Sequence, residues 1–68
     1  MKLRVEFEQE TDGRWIADVT DLPGVLAYGK TREEAFAAVE VLALRVIADR
    51  IENGELAPVP SSLMFEAA

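Results

Sequence analysis

Carboxylates are the only reactive side chains that this sequence supplies in number. Thirteen Asp and Glu stand against seven Lys and Arg, with no His and no Cys. Without thiol or imidazole there is no Cys nucleophile, no imidazole acid or base, no disulfide, and no zinc site built on those ligands. The hydroxyls are few (Thr11, Thr20, Thr31, Ser61, Ser62 and Tyr28), and the sequence places no identifiable base beside any of them. Grouped carboxylates can hold divalent cations, and two-metal hydrolysis of nucleic acid needs such a group. Glu6, Asp18 and Asp21 would form one if the segments carrying them were paired. Glu6, Glu8 and Asp18, however, alternate with apolar residues, at positions where solvated charge is the default. The expectation is therefore no catalytic residue, no metal and no cofactor.

Phosphate binding is not written in the chain either. Gly24 and Gly29 belong to no GxGxxG or GxxxxGK string, and Glu33 and Glu34 at a helix start would compete with a bound anion. The net charge of −6 repels nucleic-acid backbones and anionic lipid, so direct binding to either is not expected. A charge of this sign serves solubility, or it serves a basic protein partner. The candidate contacts for such a partner are the acidic residues around the first two strands: Glu6, Glu8, Glu10, Asp12 and Asp18. No apolar run approaches the ~18–20 residues of a membrane span, and MKLRVEFEQE lacks the apolar core of a signal peptide. A cytoplasmic location is the expectation.

The elements that must position these groups follow from periodicity. Leu3, Val5 and Phe7 alternate with Lys2, Arg4, Glu6 and Glu8, the pattern of a half-buried strand. Asp12-Gly13 signals a turn, and Trp15, Ala17 and Val19 then alternate with Ile16, Asp18 and Thr20, so the first two strands form a hairpin. Pro23 presets the first corner of a turn and Gly24 accepts the positive φ of the second. A third strand, Val25 to Tyr28, follows. Neither of its alternating sets is polar, so its inward face stays open between Val25 with Ala27 and Leu26 with Tyr28.

Thr31 and Glu34 are spaced as a capping box, and from Arg32 to Asn53 the apolar period becomes helical. Ala35, Val39, Leu42, Ala43, Val46 and Arg50 share one stripe, with Phe36 and Ile47 at its margin. Gly54 suits the left-handed position just past the helix end. A helix of this length runs ~33 Å, enough to cover a three- or four-stranded sheet. Pro58 and Pro60 stiffen a connector to a fourth strand at residues 61–66. One helix between strands three and four makes them parallel through a right-handed crossover. The expected fold is one α+β domain over residues 1–68, β-β-β-α-β, with a mixed sheet of order 3-2-1-4 and the helix on one face.

One feature of the helix exceeds what a sheet can use. Ala37, Val41, Leu44 and Ala48 form a second apolar line nearly opposite the first. A domain below ~70–80 residues draws little stability from its own core. With disulfides and zinc excluded, oligomerisation or a stable partner is the remaining support. The second line is expected to be an interface, so a homo-oligomer is expected.

The run from Trp15 through Gly54, with DLPG, YGKT, REEA and a long apolar helix ending in ENGE, resembles the HicB antitoxins of bacterial HicA–HicB toxin–antitoxin pairs. The matching residues are Leu22, Pro23, Gly24, Gly29, Thr31, Glu34 and Ala35. The resemblance implies a partial ribonuclease H-like fold and a non-enzymatic protein that binds a small basic HicA-like ribonuclease, covering its active site and RNA-binding surface. Many HicB antitoxins also carry a C-terminal DNA-binding region. This chain reaches Ala68 without one, so promoter repression by it alone is not expected. The alternative to the antitoxin is an orphan, self-associating structural or regulatory domain with no toxin partner.

Overall fold

A computed structural model describes residues 1–55 and 63–68. Strands β1 (Lys2–Gln9), β2 (Trp15–Val19) and β3 (Leu26–Gly29) precede helix α1 (Arg32–Glu52), and strand β4 (Met64–Ala67) follows it. The sheet order is β3-β2-β1-β4. The pairs β1–β2 and β2–β3 are antiparallel and β1–β4 is parallel, as the strand and helix order requires. Pro58, Pro60, Ser61 and Ser62, parts of the expected connector and fourth strand, lie outside the described residues. The fourth strand begins at Met64, later than expected, and extends to Ala67.

Each reversal has a chemical cause. At the β1–β2 hairpin the Gly13 N–H donates to Glu10 O at 2.9 Å, Gly13 takes φ 94°, and the Glu10 N–H donates to Arg14 O at 2.7 Å. That is a turn closed by a left-handed glycine, which sets the twist of the following strand. At the second reversal the Val25 N–H donates to Leu22 O at 3.0 Å across Pro23 and Gly24, and Gly24 has φ 85°. Proline at the first corner and positive φ at the second are the marks of type II.

The helix is fixed at both ends. Thr31 is extended and its hydroxyl accepts from the Glu34 N–H at 3.1 Å, while Glu33 and Glu34 occupy the first turn, where the helix dipole favours acids. At the other end the Gly54 N–H donates to Ile51 O at 3.1 Å and the Glu55 N–H to Arg50 O at 2.8 Å. This pair of bonds is a Schellman closure, which satisfies carbonyls that the helix itself leaves open.

The core lies between α1 and one sheet face. Leu3 and Val5 of β1 and Ala17 and Val19 of β2 meet Ala35, Val39, Ala43 and Ile47, with Leu22 and Val25 at the turn end. Ile47 is a core member at 3% exposure, whereas Leu42 and Val46 are only partly buried. The expected stripe is thus rotated slightly, with Ile47 moved from margin to centre. Alanines at positions 17, 35 and 43 let the helix settle close to the sheet, and each full valine burial there contributes roughly 1.5–3 kcal/mol. Phe7 and Phe36 meet edge to face at 5.8 Å between ring centroids and close one end of this layer.

Gly29 is where the sheet meets the helix start. A methyl group on its α-carbon would press on the Ala35 nitrogen and lie 2.8 Å from the Glu34 carbonyl carbon, both backbone atoms. Only hydrogen fits. Gly29→Ala is expected to lower stability by about 1–3 kcal/mol through overpacking, read as a lower urea midpoint. An unchanged midpoint would show that the strand and helix are not held this close.

Candidate protein-binding face

Pleating sends alternate strand residues away from the helix. The outer face so formed carries Lys2, Arg4, Glu6 and Glu8 from β1 and Ile16 and Asp18 from β2. Leu26 and Tyr28 come from β3, and Met64 and Glu66 from β4. Strand register arranges them in rows. Glu6 stands opposite Asp18, which stands opposite Leu26; Glu8 stands opposite Ile16, which stands opposite Tyr28. An open groove of about 590 Å³ runs along these rows, lined by Glu6, Phe7, Glu8, Ile16, Asp18, Leu26 and Ala68.

The two ends of this face differ in their electrostatics. At the β4 end the carboxylates find partners: Lys2 Nζ lies 3.2 Å from Glu66 Oε2, and Asp21 Oδ2 accepts from the Arg4 backbone N–H at 2.9 Å. At the groove end they do not. Glu6 and Asp18 are direct cross-strand neighbours of like charge, an arrangement that destabilises a sheet. Neither they nor Glu8 make a side-chain hydrogen bond or ion pair among the described residues. These three carboxylates surround an apolar floor of Ile16 and Leu26 and are available to an outside cation.

The other two candidate contacts stand apart from this set. Glu10 sits beyond the end of β1, where its backbone closes the hairpin. Asp12 is engaged by Arg14: its Oδ1 accepts from the Arg14 N–H at 3.1 Å and its Oδ2 from Arg14 Nε at 2.8 Å. The backbone bond first, and then the guanidinium, hold the Asp12 carboxyl below its ordinary value of 3.8. Arg14 also lies over the Tyr28 ring at 4.8 Å, coupling the hairpin to β3.

Asp21, the third member of the expected acidic group, is drawn to the Arg4 backbone. Among the described residues no three Asp or Glu converge as ligands for a metal ion. Thr31 spends its hydroxyl on the helix cap. Ala37, Val41, Leu44 and Ala48 all lie exposed on the far side of α1. No helix among the described residues is long and apolar enough to cross a membrane.

Sequence periodicity did not single out the apolar part of the outer face. Val25 to Tyr28 contains no polar residue, so alternation alone could not orient β3. The turn could have done so. The Val19 N–H donates to Val25 O at 3.0 Å, which pairs Val25 with an inward valine and sends Leu26 and Tyr28 outward at 42% and 45% exposure. Comparison of the chain with known protein families, with curated proteins and with solved structures returned no match.

Because the Asp12 carboxyl is depressed by its bonds to Arg14, the turn stabilisation it provides is complete above the ordinary carboxylate range. It fades as pH falls through the lowered value. A carboxyl-resolved NMR titration is expected to place Asp12 below 3.8, and Arg14→Ala, which removes the guanidinium but keeps the backbone N–H, to raise it only in part. A midpoint at or above the ordinary value in the parent protein would show that the hairpin pair does not persist in solution.

Proposed function

We propose that this chain is a non-enzymatic antitoxin that binds a small basic ribonuclease of the HicA type and covers the surface with which that enzyme engages RNA. The observation carrying this reading is the uncompensated row of Glu6, Asp18 and Glu8 beside the Ile16 and Leu26 floor. A sheet that sets like charges opposite one another gives up some stability of its own. Basic side chains from a partner would reverse that loss on binding, and opposite potentials would steer the encounter. The element order β-β-β-α-β agrees with the partial ribonuclease H-like fold that the HicB resemblance implies, and the DLPG and YGKT segments occupy the turn and the strand–helix junction.

In this reading no bond is made or broken by the antitoxin itself. Neutralisation is occlusion: the outer sheet face supplies an anionic surface in place of RNA phosphates, while Ile16, Leu26 and Tyr28 exclude water around the contact. The second reading, a self-associating domain with no toxin, is favoured by a separate observation, the exposed apolar line on α1.

The test is co-expression with a small basic ribonuclease encoded beside this chain. Growth arrest caused by the nuclease alone is expected to be relieved by the parent chain. The Glu6→Lys/Asp18→Lys double variant should relieve it poorly, with at least tenfold weaker capture by the purified protein at low salt and an unchanged circular-dichroism spectrum. Each charge reversal replaces an attraction with a repulsion, so the deficit should grow as ionic strength falls. Arrest that persists with the parent chain would overturn the antitoxin reading. Relief that is equal with the reversed variant would move the contact off this face.

A further inference from the structure

Helix α1 turns one face to the sheet and leaves an apolar line in solvent. Ala37, Val41, Leu44 and Ala48 are all exposed, Val41 at 50% and Leu44 at 46%. Their successive spacings of four, three and four residues are those of a heptad seam, with Val41 and Ala48 at a and Ala37 and Leu44 at d. Two of the positions flanking the seam carry charges of opposite sign. Glu40 precedes Val41 at g, and Arg45 follows Leu44 at e. Neither forms an ion pair among the described residues.

This pattern has a self-complementary solution. A β-branched residue at a with leucine at d favours two parallel strands, and small residues above and below allow the helix axes to approach. In a parallel pair the g residue of one helix meets the e residue five positions further along the other. Glu40 then faces Arg45 of the second copy, and two-fold symmetry repeats the contact. An antiparallel pair would instead set g beside g and e beside e, placing Glu40 by Glu40 and Arg45 by Arg45. Charge therefore selects the orientation.

We propose that the outer face of α1 docks a second copy of this chain, helix parallel to helix and in register. Val41 and Leu44 form its central layers, and two Glu40–Arg45 pairs flank them. The sheets then lie on the outside of the dimer with both acidic grooves free. A seam of about two heptads specifies a modest, concentration-dependent association, not a permanent one. The inference is independent of the toxin reading.

The experiment uses the full chain, whose lack of cysteine makes single-cysteine cross-linking unambiguous. Leu44→Cys is expected to form a disulfide with itself under mild oxidation, because in-register parallel helices bring the two positions within the ~4.4–6.8 Å Cα range of that bond. Sedimentation equilibrium of the parent chain should show a monomer–dimer transition between micromolar and millimolar concentration. Leu44→Glu should abolish it with an unchanged circular-dichroism spectrum, since Leu44 is outside the core. Glu40→Lys should weaken the dimer by about tenfold, and Glu40→Lys/Arg45→Glu should restore it. A chain that stays monomeric over this range would overturn the proposal. So would cross-linking of Val41→Cys to Leu44→Cys without self-linking of either, which marks an antiparallel pair, or a dimer indifferent to Leu44→Glu.

Discussion

A single helix can cover only one face of a sheet, and this constraint governs the rest of the molecule. The small residues Ala17, Ala35 and Ala43 bring α1 down onto β2 and β3, and Gly29 admits its first turn against β3. Once that contact is made, strand parity is fixed. Every residue that alternates with the core is sent to the opposite face, and the helix is left with a back that nothing in the fold covers. The protein thus presents two large uncovered surfaces of different chemistry, one acidic with an apolar floor and one apolar with a balanced charge pair.

The inside of the fold was legible because the signals there agree with one another. Period-two alternation in β1 and β2, the Asp12-Gly13 and Pro23-Gly24 turns, and the Thr31–Glu34 cap all specify the same topology, and sheet order follows from the antiparallel hairpins and one crossover. The places that were harder to read lacked contrast. Four consecutive apolar or small residues in β3 carry no alternation, so Leu26 and Tyr28 could be placed only through hydrogen-bond register. The helical stripe leaves Ile47 at its edge in the sequence because alanine, leucine and valine fill both sides of α1. Gly29 reads in the sequence as the end of a strand, yet its structural reason is the approach of backbone atoms from the helix, which no local pattern encodes.

The acidic residues show the same contrast between composition and placement. Composition places Asp12 with Glu6, Glu8 and Asp18, whereas geometry divides them. Asp12 is consumed by its own hairpin, Asp21 by the backbone of Arg4, and Glu66 by Lys2. What remains uncompensated on the outer sheet face is the short row that register creates across β1 and β2. Charge counts therefore indicate the kind of partner, and only strand pairing indicates where it would sit.

The pairing of Lys2 with Met64 joins segments from opposite ends of the described chain, with the whole helix between them. During synthesis on the ribosome the edge of β1 that receives β4 must wait, unpaired, until the last strand emerges, while the hairpins and helix can already form from local contacts. An unpaired strand edge invites association with other nascent chains. Lys2 and Arg4 put two charges on that strand, the kind of residue that discourages edge-to-edge pairing, and in the folded chain Lys2 lies 3.2 Å from Glu66 of β4. The same lysine thus carries a repelling charge on an open edge and an attracting one on a closed edge, where the backbone ladder with β4 sets the register.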